Sequence, residues 1–249
     1  MDDTEVWSAV DRRRHAIVVL VSGLSQSEWD TPSLCDRWTV RDVAAHLTMP
    51  LLGLPQLVGL AIRHPGGNNH VIREGSIELA RRYDTDQLTD RLAQLVGVHR
   101  LFPGLTCRES LIDAIGHTLD MCIPLGRHVD IPALEVAEAA NRVLSYHGRG
   151  KAKVFRSLPL AGFRLTATDY TWSTGSGPEI TGSITDLFLL LTGRTVRIGE
   201  LHGAGAADLR GAVASWSHLD ADHLPRHRRA PLQREAAPAR PRDDQSQDR

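Results

Sequence analysis

The stretch Cys35–Pro50, CDRWTVRDVAAHLTMP, carries a full set of signals for the start of a buried helix. Thr39 is suited to the N-cap, and Asp42 three residues on completes a capping-box pair in which each side chain bonds the other residue's backbone N–H. Trp38 before the cap and Val43 after it stand at the two ends of a hydrophobic staple. Val40, Val43, Ala44 and Leu47 then form an apolar stripe of helical period, and Pro50 interrupts its continuation. His46 lies on the border of that stripe, facing inward on a rigid element. Position alone leaves two readings open. The imidazole is either a packed core group bonded to a carbonyl, or a ligand aimed by the cap and the staple.

Working outward, Val6, Val10, Ile17, Leu20, Val21 and Leu24 recur at helical spacing and predict a first helix over Glu5–Leu24, followed by a loop up to the capped segment. Pro50 and Pro55 kink or interrupt the continuation toward Ile62, and HPGGNN, His64–Asn69, reads as a loop. Further helical patterns cover Glu74–Arg82, Thr85–Val98, Thr106–Cys122 and Ala133–Tyr146. The character changes at HGRGK, His147–Lys151, which is taken as the domain boundary. Beyond it Phe163, Leu165 and Ala167 alternate with polar residues as in a strand. Gly175, Gly177, Pro178 and Gly182 mark turns, and Ser183–Thr192 reads as a short apolar helix stopped by Gly193. TVRIGELHG is a candidate strand or sheet edge, and Ala206–Leu219 a last helix. From Leu224 the apolar residues almost vanish, which predicts a disordered tail.

Composition excludes several function classes. Among 249 residues, 41% are hydrophobic and 24% charged, with a formal net charge of −1. Those are the proportions of an ordinary globular protein, without the field expected of a nucleic-acid binder. No apolar run approaches the roughly 18 residues of a membrane span, and no secretory leader is evident, so a cytoplasmic protein is expected. Cys35, Cys107 and Cys122 are odd in number and scattered, which fits reduced thiols, and none forms a CxxC pair. The only lysines, Lys151 and Lys153, stand against many arginines, as in a GC-rich genome.

The second chemical feature is DAIGHTLD, Asp113–Asp120. Asp113 and His117 are four apart on one helix and share a face, while Asp120, three beyond, is placed to orient the His117 ring. Two imidazoles and one carboxylate suit Zn²⁺ or a similar divalent ion and leave coordination positions open, the catalytic rather than the structural arrangement. The remaining histidines lack partners at useful spacing and are assigned to the surface or to loops. Arg194, just after Gly193, is a candidate carboxylate clamp, or else it neutralises the end of the preceding helix.

Three blocks in order resemble the mycothiol-dependent maleylpyruvate isomerase family, within the DinB/YfiT-like superfamily. CDRWTVRDVAAHL is similar to the family signature GWTVRDVVAHL. DAIGHTLD followed by PLGR is similar to its second motif, and Leu165–Arg194, LTATDYTWSTGSGPEITGSITDLFLLLTGR, to its C-terminal block. The resemblance implies an α+β protein: a metal-binding DinB-like helical bundle over residues 1–150, a smaller α/β domain over 151–220 and a disordered tail over 221–249. It implies His46, Asp113 and His117 as metal ligands, mycothiol as thiol cofactor and Arg194 in the catalytic role. The partners are then a small thiol and a small electrophilic or dicarboxylate substrate, in isomerisation or S-transfer. A non-enzymatic metal-binding module and a thiol-independent metal hydrolase are the alternatives. Two departures stand out. Asp113 replaces a frequent Glu, and Met121, Cys122 and Ile123 stand where an Ile and two arginines are usual.

Overall fold

The computed structural model describes residues 1–102, 104–146, 155 and 158–223, with side chains described up to 215. Helices α1 (Asp3–Ser22), α2 (Gln26–Trp29), α3 (Val40–Leu47), α4 (Leu54–Arg63), α5 (Asn68–Arg82), α6 (Thr85–Leu95), α7 (Cys107–Cys122) and α8 (Ala133–Leu144) come first. Strands β1 (Arg164–Ala167), β2 (Ser173–Gly175) and β3 (Glu179–Gly182) follow, then α9 (Ile184–Leu191) and α10 (Ala206–His223). The α+β class is that expected, with the helical bundle first.

Capping boxes start α1, α2, α3, α6 and α7, at Asp2/Glu5, Ser25/Glu28, Thr39/Asp42, Asp84/Gln87 and Thr106/Glu109. Each satisfies two backbone donors that a helix start leaves bare, so the entry angle of each helix is set locally. The apolar stripe of α1, Val6, Val10, Ile17 and Val21, is buried against α6 and α7. Leu88 and Leu92 of α6 and Leu111, Ile115 and Leu119 of α7 fill the same core. Helix α3 closes the bundle, packed on α5 and also touching α6 and α7. That places His46 opposite the middle of α7.

The sheet is ordered β2-β1-β3, with β1 antiparallel to β2 (Leu165 opposite Thr174) and parallel to β3 (Leu165 opposite Ile180). To reach the far side of β1, the chain between β2 and β3 must pass close over the start of β1. Gly175 (φ +78°) and Gly177 (φ +115°) make that passage, and a Cβ on either would overlap the carbonyl oxygen of Phe163 or Gly162. Only glycine fits there. Helix α9 is apolar nearly all round. Ile184, Phe188 and Leu189 enter the bundle core, while Leu187 and Leu190 join Leu165, Ile180, Leu201, Leu209 and Val213 in a second cluster. The two parts of the chain are thus pinned through one helix, and α9 also lies against α8.

Several boundaries differ from expectation, each for a local reason. Residues 26–29, expected as loop, form the short capped helix α2. Pro55 lies in the first turn of α4 and helps to start it, because its missing N–H would be unsatisfied there anyway. Helix α5 begins at Asn68, with Gly67 as its N-cap, so HPGGNN is only partly loop. The glycines expected to mark turns also end β2 and β3. TVRIGELHG is not a strand: it holds a 3-10 turn at Ile198–Glu200, and His202 makes a single bridge to Thr181. The boundary expected at His147–Lys151 and the tail from Leu224 lie outside the described residues. No helix among those described is long and apolar enough to cross a membrane.

Candidate metal centre

The cap aims the first residue. Thr39 Oγ1 accepts from the Asp42 N–H while Asp42 Oδ2 accepts from the Thr39 N–H at 2.8 Å, fixing the start and rotation of α3. The Trp38 ring, nearly buried, lies 5.2 Å from the His46 ring and 6.2 Å from that of His117, so the indole packs against both imidazoles. From α7, Asp113 and His117 point to the same place. Asp113 Oδ1 stands 3.4 Å from His46 Nε2 and 3.4 Å from His117 Nε2, and these donor atoms all lie within 4.8 Å of one another.

The electrostatics of the trio favour a cation. Burial opposes the Asp113 charge, yet the two imidazoles outweigh it and hold the carboxyl well below the ordinary carboxylate range. Solvent still reaches 46% of the Asp113 side chain. Asp113 is thus the most solvent-open of the three, and the recess is the space that its carboxylate shares with His46 Nε2 and His117 Nε2. His117 is likewise pushed down by burial, but Asp113 and Asp120 prevail and raise it well above the usual imidazole value.

Behind His117 lies a brace that crosses from the C-terminal part of the chain. Asp120, fully buried, accepts from His117 Nδ1 at 2.9 Å through Oδ2. Arg194 grips the same carboxylate bidentately, with Nε to Oδ1 at 2.6 Å and Nη2 to Oδ2 at 2.6 Å. Its Nη1 donates to the Thr192 carbonyl at 3.1 Å. The Cys35 thiol donates to Asp120 Oδ2 at 3.1 Å. Burial pushes this thiol up, so Cys35 serves as a neutral donor rather than a thiolate. Although burial opposes it, the charge on Asp120 is held well below the ordinary range by Arg194 and His117. Arg194 reaches Asp120 across Gly116 of α7. A Cβ there would touch Nη2 at 3.5 Å, and a longer side chain would block the guanidinium.

Residues 10–99, from α1 through the loop after α6, match the family model described as the mycothiol maleylpyruvate isomerase N-terminal domain. The first part of the chain, a little more than a third of its length, is similar to that domain. The match contains His46 but ends before Asp113, His117 and Arg194. Beyond it the likeness is one of fold. A crystal structure of the mycothiol-dependent maleylpyruvate isomerase superposes with a TM-score of 0.56 at 14% identity, covering 83% of this chain and 94% of that one. A histidine-to-alanine mutant of the mycothiol-dependent maleylpyruvate isomerase gives 0.54 at 13% identity over the same shares. No sequence among the curated proteins searched matches.

Within this fold, His46, Asp113 and His117 come together as expected, and Asp120 does lie behind His117. Arg194 takes a different place from the one expected. It clamps a carboxylate, but the carboxylate is Asp120 of its own chain, and the two donors that face it are both used. Met121 and Cys122 are buried in the core and Ile123 packs against it, so charged side chains at 121 and 122 would have to be accommodated inside the bundle. Two histidines read as unpartnered do find carboxylates remote in sequence: His64 bonds Glu78 at 2.8 Å, and His99 bonds Asp11 at 2.8 Å while stacking on Trp7. Sequence reasoning missed Cys35 and Ser76. Ser76, on α5, sits 3.4 Å from His46 Nδ1. Cys35 had a signal of a kind, its place in the same motif as Trp38 and His46. A lone serine within an amphipathic helix carries none.

Proposed function

We propose that the chain is a metal-dependent, thiol-using enzyme that isomerises a small electrophile or transfers sulfur to it, with mycothiol as the thiol. His46, Asp113 and His117 would hold a divalent ion, Zn²⁺ fitting this donor set best. One observation carries the reading: a single carboxylate oxygen stands 3.4 Å from each of two imidazole nitrogens. That spacing is at the outer edge of hydrogen-bond range. It is the edge of a tetrahedron whose centre lies about 2.0–2.1 Å from each corner, the zinc bond length to nitrogen and oxygen ligands. A bound ion would supply the charge that strips a coordinated thiol of its proton, giving the thiolate that both reactions need.

The chain's own residues do the rest. Asp120, locked by Arg194, holds His117 with Nδ1 as donor and turns Nε2 toward the recess. Trp38 packs against both imidazoles and limits water on that side. The solvent-touched side of Asp113 is the route by which thiol and substrate approach.

Elemental analysis of the purified chain should find about one equivalent of zinc or a similar ion, lost in His46→Ala. Cis–trans isomerisation of an unsaturated dicarboxylate, or thiol consumption with a model electrophile, should need both the ion and added thiol. Turnover without thiol would favour a hydrolase, and metal uptake without any turnover a binding module. A His46→Ala variant that keeps its full metal content would overturn the ligand set.

A further inference from the structure

We propose that Ser76 is the positioning residue of His46: its hydroxyl oxygen takes the Nδ1 hydrogen and leaves Nε2 as a bare lone pair aimed at the recess. This rests on the ligand reading above and extends it to a residue outside the motifs. Ser76 is completely buried on α5, the helix against which α3 packs. Its Oγ lies 3.4 Å from His46 Nδ1, the one polar contact to that nitrogen among the described residues. Of the two acceptors that its hydroxyl hydrogen could serve, the Ile72 carbonyl one turn back, at 2.7 Å, is far closer than Met49 Sδ at 3.7 Å.

The direction of the bond follows from counting hydrogens. A serine hydroxyl has one to give and two lone pairs with which to accept. With that hydrogen spent on Ile72, Oγ faces the imidazole as an acceptor only. A neutral imidazole carries one N–H, so the hydrogen sits on Nδ1 and Nε2 is left without one. Nε2 then confronts Asp113 Oδ1 at 3.4 Å, lone pair against lone pair. Either a proton on Nε2, which makes the Asp113 contact a hydrogen bond, or a metal cation between the two completes such a pair. The two imidazoles are therefore aimed by unlike devices, His117 by a buried carboxylate and His46 by a neutral hydroxyl.

A serine bonded to the carbonyl four residues back is common in helices and needs no ligand nearby. The test must move something that this packing role would not. In metal-free full-length protein at pH about 8, above the ordinary imidazole range, two-bond nitrogen–proton spectra should show His46 as the Nδ1–H tautomer. In Ser76→Ala that preference should be lost. Competition titration with Zn²⁺ should show Ser76→Ala binding about 10-fold more weakly than wild type, the low end for such supporting groups. A wild-type Nε2–H tautomer, or a variant that binds zinc within twofold of wild type, would overturn the role of Ser76. A wild type that takes up no zinc sinks the ligand reading instead, and the tautomer spectrum still judges Ser76 by itself.

Discussion

Replacing Arg194 by methionine tests the brace behind His117. The substitution keeps an unbranched side chain of similar reach but removes both donors to Asp120, which is fully buried, while Arg194 itself is only 16% exposed. Removing one partner of a buried ion pair typically costs about 3–5 kcal/mol, because the other charge is left desolvated. Asp120 would keep His117 at 2.9 Å and Cys35 at 3.1 Å, so the lower end, about 3 kcal/mol, is expected here. For a chain of this size that is a fall in Tm of about 6–12 °C. Denaturant unfolding should be measured on metal-free protein, so that lost ion binding does not add to the apparent loss. Zinc affinity, titrated separately, should fall about 10–100-fold as His117 loses its fixed orientation. Adding Asp120→Asn to Arg194→Met removes the stranded charge and should recover part of the stability without recovering the affinity. A single variant less than about 1 kcal/mol below wild type, or a double variant whose loss is the sum of the two single losses, would refute the brace.

Two further outcomes follow from other parts of the molecule. Glu28 is held down to about 2 from its ordinary 4.5, chiefly by Arg127 and by its capping bonds to Ser25. A depressed carboxyl stabilises the fold above the unfolded value and loses that effect as pH falls toward the folded one. Wild type should therefore exceed Glu28→Gln in urea midpoint near neutrality, and the gap should close between about 4.5 and 2; a gap independent of pH would contradict the pairing. Gly177→Ala must place a methyl against the Gly162 carbonyl at φ +115° and should cost about 1–3 kcal/mol in thermal unfolding; an unchanged melting curve would refute the proposed crossing over β1.

What was legible in the sequence was whatever is written locally. The cap of α3 and the four-residue step from Asp113 to His117 depend on neighbours within a turn, and both stand in the structure as read. The fold class was legible for a similar reason, since a stripe of period 3.6 declares its buried face without reference to a partner. The errors arose where one residue type serves two ends. Pro55 was read as a stop yet begins a helix, and Gly175 and Gly182 were read as turns yet close strands. The pairings across the fold were not legible. Cys35 meets Asp120 and Arg194 meets Asp120 only because two loop residues from distant parts of the chain are brought against α7, and nothing near any of the three residues specifies the other two.

Arg194 shows why the C-terminal part belongs to the centre rather than beside it. Its guanidinium can reach Asp120 only if α9 is held in register with α7, and α9 is buried from both sides. Ile184, Phe188 and Leu189 fix it to the bundle, and Leu187 and Leu190 fix it to the sheet. Gly193 ends the helix with φ +82°, turning the chain so that Arg194 leaves toward α7 over the bare surface of Gly116. A shift of α9 by one turn, 5.4 Å, would carry the guanidinium out of reach of Asp120 and leave that buried carboxylate paired only with His117 and Cys35. The aim of His117, a residue of the bundle, is therefore set by packing in a part of the chain that contributes none of the three residues facing the recess.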